Sequence, residues 1–376
     1  MNFIAFDCKK WYNIGINFYG VLKMYENNGF NYNQDFYEEY TSSKIKEARR
    51  VFSRIFLALL FFILALNVTV LLVETILILA LGKTEAVNLI NSSVYLPWLL
   101  NSLPQYLVAF PVFFLIVRGM KTSEAKKSKL KISEFLSLFL ISQVAILAGS
   151  IIGETVNDFF TIFKGETVTN PLDSMISGSP VWIVLIFTVI LAPIFEELIF
   201  RKLIIDRLSR FGSGLAITVS AIAFGLFHGN FYQLFYAVAL GFILGYMYEK
   251  TKDVRYPIIL HALINFLGSV VAMLIGERMV RFEAMLESIS KKIEVDMSVF
   301  IQDMMIVGSY SLLQYALVGG GIAVLVSMIK RKKFKLQSIY DYKIPKERVS
   351  STVILNVGAI LFLLTSTLTF ILNVIM

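Results

Sequence analysis

Nine apolar runs constrain what this chain can become more than anything else in it. They fall at about 52–82, 96–117, 133–155, 181–200, 214–229, 232–248, 257–276, 306–329 and 350–375. A run of ~20 apolar residues crosses a hydrocarbon layer as a helix. Backbone polar groups in that layer have no water to bond, so a spanning segment satisfies them within its own helix or in a closed barrel. Barrel strands are short and alternate in polarity, whereas these runs are long and continuous. Composition agrees: 57% of residues are hydrophobic, 16% are charged and mean hydropathy is +0.70. The expected fold class is all-α, a polytopic helical membrane protein with about eight to nine transmembrane helices.

The charges between the runs set an orientation. Segments 44–54, 118–131, 201–210, 250–255 and 330–348 carry five, six, four, three and eight basic residues, or 26 of the 35 Lys and Arg. The alternate connections carry one, one, none and four. This is the positive-inside pattern, with the N-terminus cytoplasmic and, over nine spans, the C-terminus outside. The +8 net charge is therefore explained by topology, and no nucleic-acid partner is needed. The start, MNFIAFDCKKWYN, lacks a basic region followed by an apolar core, so no cleaved signal is expected. The single cysteine, Cys8, excludes an internal disulfide and reads as an ordinary thiol. Richness in Ile, Lys, Asn and Phe fits a bacterial plasma membrane. Five regions follow: a cytoplasmic arm (1–50), N-terminal spans (51–132), a core (133–276), an amphipathic external hairpin or helix (277–305) and C-terminal spans (306–376). The glycines of LVGGGIAV read as helix-packing positions.

Against this apolar background, APIFEELIFRKL (192–203) places Glu196, Glu197 and Arg201 near the end of a span. Residues four apart share a helical face, so Glu197 and Arg201 can pair, while Glu196, turned by ~100°, projects elsewhere. Charges at a helix end can also be interfacial groups that snorkel to water. The histidines argue for more. There are two, His228 in AFGLFHGN and His261 in YPIILHALINF, and both lie in apolar segments. Ionisable groups at membrane depth are expensive enough that function is their default reading. His261 and Asn265 are four apart, as are Phe224 and His228. A glutamate in an apolar site can take a proton from water, and a neutral histidine can orient that water. A second histidine and an amide can donate to an oxyanion. The same groups could instead hold zinc, although no HExxH is present and the ligands (Glu196, His228, His261) would have to come from different helices.

EELIFR, FGLFH and HALIN match in order the EExxxR, FxxxH and HxxxN motifs of the CPBP family. These are the CAAX-protease and bacteriocin-processing membrane endopeptidases, related to the Rce-type prenyl-protein proteases. The segment from about Pro180 to Phe266 resembles that domain. The resemblance implies Glu196 as general base, His228 holding the attacking water, and His261 and Asn265 at the oxyanion. Glu197, Arg201 and Phe224 would be supporting residues. It also implies a glutamate-dependent protease without catalytic cofactor, in a family long described as metalloproteases. The expected partners are the bilayer and a peptide or membrane-protein substrate, such as a lipid-modified protein, a bacteriocin or signalling-peptide precursor. A non-catalytic immunity or regulatory protein on the same scaffold is the competing reading. A proton-coupled transporter is a third, without the repeated broken helices it would need. Segments 214–229 and 232–248 are short for full crossings, so they read as a hairpin whose HGN tip stops within membrane depth and lines a watery cavity.

Overall fold

In a computed structural model of the chain, residues 34–123, 126–166, 168–331 and 343–375 are described. Cys8 and most of the N-terminal arm lie outside them. Twelve helices follow one another: α1 (Gln34–Leu81), α2 (Lys83–Ser92), α3 (Leu96–Val117), α4 (Ile132–Lys164), α5 (Pro171–Ile176), α6 (Val181–Phe211), α7 (Ser213–Phe227), α8 (Phe231–Thr251), α9 (Arg255–Ser290), α10 (Met297–Lys330), α11 (Lys346–Val353) and α12 (Val357–Ile375). No strand occurs among the described residues. Eight helices are long and apolar enough to cross a membrane, and α7, with 15 residues, falls short. The chain is an all-α, multi-pass membrane protein.

Several expected boundaries shift. Residues 34–50 are helical and continue into the first span. The second arm of the expected hairpin, α8, has 21 residues and is long enough to cross. Only α7 is short; at 1.5 Å per residue it rises about 22 Å, against a hydrocarbon thickness of about 30 Å. The stretch 277–305 consists of the end of α9, a turn and the start of α10. The run 350–375 breaks between α11 and α12.

Small residues set how closely the helices approach. On α4, a Cβ at Gly149 would lie 2.3 Å from the Tyr236 Cα, and one at Gly153 would lie 2.6 Å from the Phe231 carbonyl oxygen. On the other side of α8, a Cβ at Gly241 would sit 2.9 Å from the Ala221 Cα of α7. α8 is therefore clasped between α4 and α7 through glycine surfaces, the standard means of helix association in lipid. Of the three glycines at 319–321, Gly321 packs tightly, against the Leu140 carbonyl of α4. One end of this group is tied by buried polar contacts. Glu249 accepts from Ser209 (2.8 Å), Ser213 (2.6 Å) and Lys252 (2.6 Å), and Tyr248 donates to Asp206 (2.7 Å). The ends of α6 and α8 and the start of α7 are thus held together at one level.

Candidate active site

Two of the helices that carry the motifs, α6 and α9, are irregular at or beside them. Four π-helical segments occur among the described residues, and three of them lie in α6 and α9: Leu185–Leu191, Leu198–Ile205 and Phe266–Val271. The first ends just before Pro193, which lacks an N–H and whose ring crowds the carbonyl four residues back. A π turn absorbs that conflict by widening the helix. The segment Leu198–Ile205 contains Arg201 and begins directly after Glu197. At the far end of α7, Gly229 takes φ 68°, a left-handed value that glycine adopts without strain. Asn230 then caps α8 by accepting from the Gln233 backbone N–H at 2.9 Å.

These elements bring the separated motif residues to one polar centre. Arg201 and Glu197 are fully buried, with Nε 2.9 Å from Oε2. The N–H direction misses that oxygen, so the contact is an ion pair without a hydrogen bond. The Arg201 guanidinium also lies 4.7 Å from the Phe224 ring centre and reaches Ser220 Oγ at 3.4 Å. The other Glu197 oxygen, Oε1, is 2.9 Å from His261 Nδ1. On the opposite side of that ring, Nε2 is 3.8 Å from Glu196 Oε2. Glu196 retains 13% side-chain exposure, whereas Glu197 has none. The two adjacent glutamates therefore differ as their rotation on the helix predicts: one is locked inside, the other is open.

The imidazole protons are assigned by their partners. His228 Nδ1 is 2.8 Å from the Phe224 carbonyl oxygen. A carbonyl only accepts, so Nδ1 carries the proton and a neutral His228 presents Nε2 as an acceptor. His261 Nδ1 likewise donates to the Glu197 carboxylate. Its Nε2 is then bare in the neutral ring and becomes a donor only in the imidazolium. The Phe224 ring meets both imidazoles edge-on, at 4.9 Å from His228 and 5.7 Å from His261. Asn265 Nδ2 donates to the Thr188 carbonyl at 2.8 Å, which fixes the amide orientation and leaves its second N–H for another acceptor.

Several neighbours were not anticipated. Thr188 and Ser269 are 3.1 Å apart through their hydroxyls, joining the π segments of α6 and α9 beside Asn265. Tyr106 of α3 stacks on Phe195, the residue before Glu196, at 4.3 Å. Polar groups inside apolar runs were the available signal, but nothing in their spacing said which helix they would face. As for zinc, a three-ligand site needs donors about 2 Å from one common point. Among the described residues no three His, Cys, Asp or Glu side chains are grouped to hold an ion. Glu196, His228 and His261 as placed do not fit that demand, and no step below is routed through a metal.

Comparison with known proteins covers this same segment. Residues 178–267 match the family described as type II CAAX prenyl endopeptidase Rce1-like. YdiL of Bacillus subtilis, which carries a membrane-peptidase name, is 29% identical over 126 residues, covering 32% of this chain and 50% of its own. The membrane-embedded CAAX protease MroQ of Staphylococcus aureus is 32% identical over 112 residues, covering 28% and 45%. The UPF0177 protein YbdI of Lactococcus lactis is 26% identical over 172 residues, covering 42% and 92%. The chain spans about half the length of the first two of these relatives. No solved structure matches. The three motifs, in order on one polar centre, lie within the 178–267 segment that matches the Rce1-like description, and this supports the CPBP resemblance for that segment.

Proposed function

We propose that this protein is an intramembrane endopeptidase that hydrolyses a peptide bond with water activated by Glu196. The observation that carries this reading is the line of contacts Arg201–Glu197–His261–Glu196, which ends in an accessible carboxylate. The water donates one proton toward Glu196 and the other hydrogen bond toward His228 Nε2, and its oxygen attacks the carbonyl carbon. Glu196 takes the proton. The oxyanion receives the free N–H of Asn265 and the Nε2–H of His261 in its imidazolium form. Glu197 makes that form tolerable by lying against Nδ1, and Arg201 compensates the charge of Glu197 in turn. Collapse of the tetrahedral species breaks the C–N bond, and Glu196 returns its proton to the leaving amine. The base is thereby regenerated.

The substrate class that fits is a peptide segment presented at membrane depth, from a lipid-modified protein, a peptide precursor or a membrane protein. In sequence, the regions 1–50 and 277–376 then lie on either side of the N-terminal spans and a catalytic core at 133–276. The test compares membranes of cells expressing the wild type with those expressing Glu196→Gln. Proteins whose cleaved fragments vanish in the variant are the expected result. Identical fragment patterns at equal expression would favour a non-catalytic role on this scaffold.

A further inference from the structure

Away from the catalytic centre, two cavities adjoin between the start of α1 and the α11–α12 corner, with volumes of about 750 and 560 Å³. Lys46 and Arg49 line both. Arg348 lines the first, Arg50 and Arg54 the second, and Glu347 is the one acidic side chain among their linings. Two of these cations are partly used by the fold: Arg49 donates to the Leu355 carbonyl at 2.5 Å and Arg54 to the Ile116 carbonyl at 2.8 Å. Lys46, Arg50 and Arg348 are exposed, and their side chains have no ion pair or hydrogen bond among the described residues. Thr352, wholly buried in the lining of the first cavity, has a hydroxyl with no hydrogen-bond partner among those residues.

The groove is polar at one end only. Along one face of α1, at spacings of four and three, Arg50 and Arg54 are followed by Leu57, Phe61 and Leu64. Phe61 and Leu64 are 46% and 44% exposed, and Val357, which lines the second cavity with Leu57, is 67% exposed. A concave cluster of cations thus leads straight into an uncovered apolar strip. A free phosphate would satisfy the first feature and leave the second bare. A soluble anionic peptide would meet the strip with polar backbone, which hydrocarbon depth does not tolerate. We propose that this groove binds one anionic phospholipid. Its phosphate sits among Lys46, Arg49, Arg50 and Arg348, and its acyl chains run along Leu57, Phe61 and Leu64. Basic pockets between membrane helices at the headgroup level are suited to such lipids.

The experiment uses the purified full chain in neutral detergent. Thermal melting is followed while phosphatidylglycerol, phosphatidylcholine or inorganic phosphate is added, for wild type and for Lys46→Gln with Arg348→Gln. Phosphatidylglycerol should raise the wild-type melting temperature, with phosphatidylcholine and phosphate giving little. The double variant should melt as wild type without lipid but need roughly 30-fold more phosphatidylglycerol for the same shift, at about fivefold per cation. Native mass spectrometry of the wild type, which requires no variant, should retain one phosphatidylglycerol in preference to phosphatidylcholine. Equal shifts from the two lipids, an undiminished response in the variant, or a full response to phosphate alone would each overturn the proposal.

Discussion

Arg201 is among the largest side chains in the protein with no exposed surface, and its charge is met at 2.9 Å by Glu197. The pair was legible from a spacing of four. That Glu197 also holds His261 was not, because this contact joins residues 64 apart and depends on how α6 crosses α9. The consequence is that Arg201 acts on the site through two other side chains. Arg201→Ala leaves the buried Glu197 without its cation, held only by His261, and breaking a buried pair from one side costs about 3–5 kcal/mol. Melting temperature in detergent and cleavage should both fall. Arg201→Lys keeps the charge but loses the planar fork, so it should be intermediate. Glu196→Gln is the contrast. The Glu196 carboxylate is partly open and, among the described residues, has no ion-pair partner closer than 3.8 Å, so this variant should melt as wild type while cleavage drops by about 10²–10⁴-fold, the loss typical of a missing general base. Activity of Glu196→Gln within a few-fold of wild type would remove Glu196 from that role. Chelator tests the same centre differently: cleavage should survive it, and one equivalent of zinc lost on His228→Ala would contradict the water mechanism.

At the scale of helices, the apolar runs located the spans because lipid imposes length and polarity directly on sequence. The π segments left no comparable trace; Pro193 marks one of them only in hindsight. Glycine spacing was more informative than its first reading allowed. Gly149 and Gly153 are four apart and face α8, yet their partner could not be named without the structure. Gly149→Ala should force α8 away, since the new Cβ would meet the Tyr236 backbone at 2.3 Å, and α8 follows directly on the HGN tip that carries His228. Lower melting temperature and lower activity are expected together. Gly268→Ala, with nothing within 4 Å, should be neutral or slightly stabilising because alanine is the better helix former. If the two variants melt alike, close packing of α4 on α8 is not required. The turn between α8 and α9 permits a pH test. Arg255 hydrogen bonds hold the Asp253 carboxyl below the usual carboxylate range, and Lys127 adds to the effect. A depressed native pKa means the stabilisation is present above the ordinary value of about 4 and is lost as pH falls through the native one. Asp253→Asn should therefore lower the melting temperature at pH 7 and make progressively less difference in acid. A constant difference across that range would show that charge is not what Asp253 contributes.

Over the whole molecule, the shortness of α7 decides where the chemistry lies. Its tip carries His228 and, at about 22 Å of rise, α7 falls short of a full crossing, so other elements pack against that tip. Residues near both termini of the described chain do this. α12 packs along α1, with Gly358 against the Ser53 carbonyl, and runs up to the tip. There a Cβ on Gly229 would meet the Thr369 methyl at 2.7 Å, and the Phe370 ring centre lies 4.8 Å from that of Phe231. Phe231 in turn stacks on Phe160 of α4 at 5.4 Å. No motif announced this, because a lipid-spanning helix looks the same in sequence whether it closes a site or merely borders it. If α12 holds the tip, then Phe370→Ala removes one ring contact worth about 0.5–1.5 kcal/mol and opens a gap beside it. His228 would lose its fixed height relative to Glu196. Cleavage should fall more than the modest drop in melting temperature accounts for, and substitution at Leu372, 46% exposed on the same helix, should change neither. The readout is peptide cleavage alongside melting in detergent. Wild-type cleavage by Phe370→Ala would make α12 a bordering span and leave the tip held by its other neighbours, α1 and α6 among them.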